Sequence, residues 1–208
     1  MSAHSCAAPA SNNNIDPAYR KALWVALAVN ALMFLIEVSA GALSGSAALL
    51  ADAVDFFGDA ANYGVSLAVL ALAPIWRSRT ALVKGITMGA FGLFVLGKTL
   101  WNAASGITPE PLTMGIVALL ALCANVGVAV MLYRFRGGDA NMRSVWLCSR
   151  NDAIGNVAVM VAALGVFGTG KGWPDLAVAA VLGLLAISAA TTVIKQSMIE
   201  LRRDSIKS

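Results

Sequence analysis

Long apolar stretches separated by short polar breaks set the pattern of this chain. Six of them, over 22–43, 47–73, 82–104, 112–133, 144–168 and 174–195, are long enough to cross a bilayer as helices, which takes about 20 residues. The breaks carry turn chemistry: Ser44-Gly45-Ser46, Pro74, Pro109 with Pro111, Gly137-Gly138, and Gly170 through Pro174. Backbone groups in lipid must satisfy one another, so each stretch is predicted to be a helix. The stretches are too long and too uniformly apolar for barrel strands. The expected fold is an all-α membrane protein with six transmembrane helices. Residues 21–197 are expected to form the membrane domain, 1–20 a disordered tail, and 198–208 a second short tail with no C-terminal regulatory domain.

Composition agrees with that pattern. Hydrophobic residues make up 59% of the 208 and charged residues 12%, about half the charge of an ordinary soluble domain. The formal charge of +4 lies between the apolar runs rather than on one basic face, so nucleic acid is not an expected partner. Distributing the 15 Lys and Arg over the loops puts thirteen on the side of the N-terminus and only Lys98 and Lys171 on the other. Positive loops stay cytoplasmic, so both termini are expected in the cytoplasm and the protein in the cell membrane. The polar stretch Met1–Tyr19 has no basic-then-apolar order before a cleavage site and is not read as a signal peptide.

Against this apolar background, acids inside a span stand out, because each costs a few kcal/mol unless a partner, a wet cavity or an ion receives it. Asp52, Asp55 and Asp59 are spaced by three and four, so they share one face of the second helix, and Asn62 extends the stripe. The fifth span holds Asp152 and Asn156 at i and i+4. Depth follows from the helical rise: from the outer surface, Asp55 and Asp59 lie ~12 and ~18 Å in, Asn156 and Asp152 ~18 and ~24 Å. Asp55, Asp59, Asp152 and Asn156 are therefore expected to converge on one cation. Three carboxylates and an amide make an all-oxygen set that suits manganese or ferrous iron and still takes zinc. The same carboxylates can take up protons when the metal leaves. Nearer the outer surface, Glu37, Asp52 and Lys98 are expected to form a second polar cluster, either a structural salt bridge or a vestibule for ions or protons.

Other polar features point to packing. Asn30 and Asn125 read as interhelical hydrogen-bonding residues, and Gly85, Gly89 and Gly92 as a close-approach or dimer-contact surface. Cys123 and Cys148 read as small packing residues, and His4 beside Cys6 as a chance pairing in the tail. Gly-Thr-Gly-Lys-Gly at 168–172 lacks the strand and full motif of a phosphate loop. No nucleophile, base and orienting group occur together, so an enzyme is not expected.

Asn30-x3-Phe34-x2-Glu37-x3-Gly41, followed by Ser44-Gly45-Ser46-Ala47-Ala48-Leu49-Leu50-Ala51-Asp52-Ala53-x-Asp55-x3-Asp59, resembles the first two spans of the cation diffusion facilitator family. The Trp173-Pro174-Asp175 opening of the last span is similar as well. The resemblance covers all six spans and is densest over 30–62. It implies a dimeric metal/proton antiporter exporting zinc, cadmium, manganese, iron, cobalt or nickel. Zinc and cadmium are favoured, with no cofactor beyond the transported ion and protons. It also implies a four-residue site at Asp55, Asp59, Asp152 and Asn156. Two departures matter: the family's fifth-span pair is usually His or Asp followed by Asp, and its cytoplasmic C-terminal domain is expected to be missing here. Asn156 can neither take a proton nor supply charge. Without that domain, a homodimer would form through the membrane helices. The competing expectation is a non-transporting metal-binding scaffold or subunit, and a channel is disfavoured for want of a charged ring or pore loop.

Overall fold

The computed structural model describes residues 17–68, 74–135 and 140–207. They form six helices: α1 (Pro17–Ser44), α2 (Ala47–Ala68), α3 (Pro74–Ser105), α4 (Pro111–Tyr133), α5 (Ala140–Thr169) and α6 (Trp173–Lys207). Five contain stretches long and apolar enough to cross a membrane; α2 is the exception, because its aspartates interrupt the apolar window. Large side chains such as Leu43, Leu100, Val130 and Phe167 point outward from the bundle, as expected of surfaces that face lipid rather than water.

Helix ends depart from the apolar runs where hydropathy and helix propensity part company. α3 begins at Pro74, eight residues before its apolar run, since proline is well tolerated in a first turn. α6 continues to Lys207, so most of the expected tail 198–208 is helical. No Gly or Pro interrupts that segment, and Gln196 bonds Glu200 one turn on. At the other terminus Tyr19 is no part of a loose tail: it is buried, with its ring 5.1 Å from that of Phe135. His4, Cys6 and the Gly137-Gly138 break lie outside the described residues, as does the side chain of Cys148.

α2 is the central helix. It packs against α1, α3, α5 and α6, and every residue from Ala47 to Val54 is buried. The one helix with a row of carboxylates is therefore the one most removed from lipid. The α1–α2 reversal takes two residues, and Gly45 makes it at φ +74°, a conformation a side chain would strain. Around this turn Asn102 donates to the Gly45 carbonyl and the Glu110 N–H to the Ser44 carbonyl. Asp175, in the first turn of α6, accepts from the Ser46 hydroxyl at 2.6 Å and from the Ala47 and Ala48 N–H groups at 2.9 and 3.1 Å. It thus satisfies the open N-terminus of α2 from another helix.

α3 and α6 form the closest pair. A Cβ on Gly85 would meet Ile194 at 2.8 Å and one on Gly92 would meet Ile187 at 2.9 Å, while Gly89 faces Ala190. The glycine stripe serves packing within the chain, and α6 occupies the face a dimer contact would use. Cys123, expected as a packing residue, lies exposed on α4. Asn30 bonds the Ala26 carbonyl of its own helix rather than a neighbour.

Candidate metal site

Helical spacing brings Asp52, Asp55, Asp59 and Asn62 onto one stripe of α2, and the direct α2–α5 contact puts α5 opposite it. Asp59 and Asp152 meet carboxyl to carboxyl across this seam, with Asp55 and Asp52 following along α2. Asp59 is further held by the Tyr63 hydroxyl, which donates to its Oδ2 at 3.0 Å. The two helices run in opposite directions, so the next turn of α5 comes level with the earlier turn of α2. A Cβ on Gly155 would stand 3.9 Å from Oδ1 of Asp52, and Asn156 is the next residue along. The structure thus levels Asp152 with Asp59, and the Gly155–Asn156 turn with Asp52.

Several polar atoms along the seam have no hydrogen-bond partner: Oδ2 of Asp52, Oδ2 of Asp152, and both amide atoms of Asn156, a residue with no exposed surface. Buried acceptors without donors are rare, and a cation or a proton is what such atoms ordinarily receive. The acids line the seam rather than enclosing a point. Among the described residues, no three His, Cys, Asp or Glu side chains gather closely enough to hold a metal ion.

The second expected cluster is rearranged. Glu37, fully buried on α1, meets Asp52, and neither of its oxygens has a donor. Lys98 takes no part: it is half-buried on α3 and forms no ion pair with either acid. An apolar crevice among α1, α2 and α3, walled by Phe34, Val38, Phe91 and Phe94, has neither Lys98 nor the two acids in its lining. Asp52, expected to stand apart with Glu37, instead joins Glu37 to the stripe. Its neighbours are Asp55 along α2 and Gly155 on α5.

Three contributors escaped the sequence reading. Tyr63 stands four residues after Asp59, a spacing that could have revealed it. Lys84 counted as a loop charge, yet it is buried on α3 and donates to Oδ1 of Asn62. The carboxylate of Asp175 is spent on the α2 N-terminus, a pairing 128 residues apart that no local signal announces.

A bundle of lipid-facing helices around one central acidic helix defines a polytopic membrane protein with an intramembrane polar site. The family profile of the cation efflux transmembrane domain matches residues 23–201, and the chain belongs to that family. It is therefore an integral, multi-pass membrane protein. Among curated relatives, the metal cation efflux system protein CzcD of Cupriavidus metallidurans is 26% identical over 190 residues, covering 86% of this chain and 60% of its own. The zinc transporter ZitB of Escherichia coli is 29% identical over 212 aligned positions, covering 96% and 67%. The cadmium, cobalt and zinc/H(+)-K(+) antiporter of Bacillus subtilis is 23% identical over 203, covering 90% and 65%. The chain thus spans about 60% of the length of CzcD.

Proposed function

We propose that the chain carries a divalent transition metal across the membrane in exchange for protons, through Asp55, Asp59, Asp152 and Asn156. The observation that carries this reading is the meeting of Asp59 and Asp152 from two helices, beside buried oxygens that have no donor. A cation drawn into the seam satisfies those oxygens, and protons satisfy them when it leaves, so one set of carboxylates serves both ions. Zinc and cadmium lead on the names of the relatives. Manganese, iron and cobalt follow on the all-oxygen donor set. With both termini in the cytoplasm, the turn at 45–46 lies on the outer side. The sheathed half of α2 then faces outward, and the half-buried Asp55 and Asn62 lie toward the cytoplasm. In that arrangement metal enters from the cytoplasm and transport is efflux. A homodimer through the membrane helices belongs to this reading, on a surface other than the glycine stripe that α6 covers.

One observation favours a second reading, a metal-binding scaffold that does not transport: the acids are strung along the seam instead of closing around a point. Uptake into proteoliposomes separates the two. Zinc flux that follows an imposed pH gradient, and is lost in the double variant Asp59→Asn, Asp152→Asn, is the result expected of the antiporter. Flux that survives the double variant sinks the assigned site, and no flux with zinc, cadmium, manganese, iron or cobalt favours the scaffold.

A further inference from the structure

Lys84 is 9% exposed, and its Nζ reaches Oδ1 of Asn62 on α2. Asn62 stands one turn along α2 from Asp59, close enough that the ammonium charge acts on the Asp59 carboxyl. α3 comes close to α2 at this level: a Cβ on Gly58, the residue before Asp59, would lie 3.1 Å from the methyl of Met88, one turn along α3 from Lys84. A buried ammonium is costly unless a carboxylate offsets it, so Asp59 and Asn62 are what hold this lysine inside the bundle.

The consequence for an arriving ion is a matter of charge. With Asp55, Asp59 and Asp152 ionised and the adjoining Glu37–Asp52 carboxyl pair holding its protons, the four site residues carry three negative charges, because Asn156 contributes none. One ammonium beside them leaves two, the charge that a single divalent cation neutralises. Without it, a divalent ion would leave one buried negative charge unmatched, and a trivalent ion would fit better.

We propose that Lys84 is the fixed counter-charge of the metal site: it sets the valence the seam accepts and weakens binding enough for the ion to be released. This deepens the reading of Asp55, Asp59, Asp152 and Asn156 as a metal site and rests on it. Lys84 acts as a positioning residue through Asn62 and Asp59, and it does not ligate the ion.

The test uses the full chain in detergent, with zinc binding followed by calorimetry, terbium(III) binding by luminescence, and zinc uptake in proteoliposomes. Lys84→Gln, which retains a donor for Asn62 but no charge, is expected to bind zinc about tenfold more tightly. Its terbium affinity rises more than its zinc affinity, and its uptake slows. Lys84→Met, which also removes the charge, shows the same signs should the glutamine variant not fold. Lys84→Arg keeps the behaviour of the wild type. A merely structural lysine gives the opposite sign, weaker binding on removal, and that result overturns the proposal, as does unchanged affinity. Asp152→Asn distinguishes the two levels. Zinc binding lost there while Lys84→Gln is silent overturns the role of Lys84 alone; zinc binding retained there overturns the site and this inference together.

Discussion

At the scale of single residues, the chemistry is concentrated in Asp59. It meets Asp152, accepts from Tyr63 and lies under the charge of Lys84. Hydrogen bonds to charged groups are worth about 1.5–3 kcal/mol, so Tyr63→Phe is expected to weaken zinc binding about tenfold with little loss of fold, as read by calorimetry. Asn156 invites the opposite change. It is buried with both amide atoms unpartnered, and Asn156→Asp adds a fourth carboxylate where only an amide now stands. The substitution is expected to alter both the order of metal preference and the number of protons exchanged per ion. An unchanged metal panel in proteoliposomes would remove Asn156 from the site. Much of this was legible beforehand, since spacing by three and four states which residues share a face. Lys84 was not, because a lysine near the end of an apolar run looks the same whether it turns to the headgroups or inward to an acid.

Helices raise different questions, of ends and of faces. Asp175 closes the N-terminus of α2 with three hydrogen bonds from Ser46, Ala47 and Ala48. Removing it orphans buried donors, and Asp175→Ala is expected to cost about 2–4 kcal/mol, seen as a lower unfolding midpoint in detergent. At the exposed end of α4, Glu110 caps its own helix, accepting from the Leu112 and Thr113 N–H groups. Its bonds with Thr113 hold the carboxyl below its ordinary range. A depressed carboxyl stabilises the fold above its unfolded value and ceases to do so as pH falls through the folded one. Glu110→Gln should therefore flatten the acid limb of the stability profile. The faces of α3 give a paired test. Gly85→Ala drives a methyl to 2.8 Å from Ile194, whereas Gly97→Ala meets nothing within 4 Å. The first is expected to lower the unfolding midpoint, and the second to leave it unchanged or raise it, since alanine favours a helix over glycine by about 1 kcal/mol.

For the whole molecule, what matters is which helix sits at the centre. The acids of α2 are tolerable because α1, α3, α5 and α6 surround that helix, and the seam with α5 is where charge from two helices meets. Hydropathy runs and side-chain periodicity are properties of one segment at a time. They sufficed for six helices, for the membrane class, and for setting Asp52, Asp55 and Asp59 on one face of α2. Contacts between segments depend on how each helix is rotated and which neighbour it meets, and no local pattern encodes either. Only the tertiary structure decided that Asp52 lies against α5 while Lys98 stands apart, that the glycines of α3 pack on α6, and that Lys84 turns inward to Asn62. The physical reason is one of range: a helix face is set over four residues, a partner across the bundle by every helix that packs between.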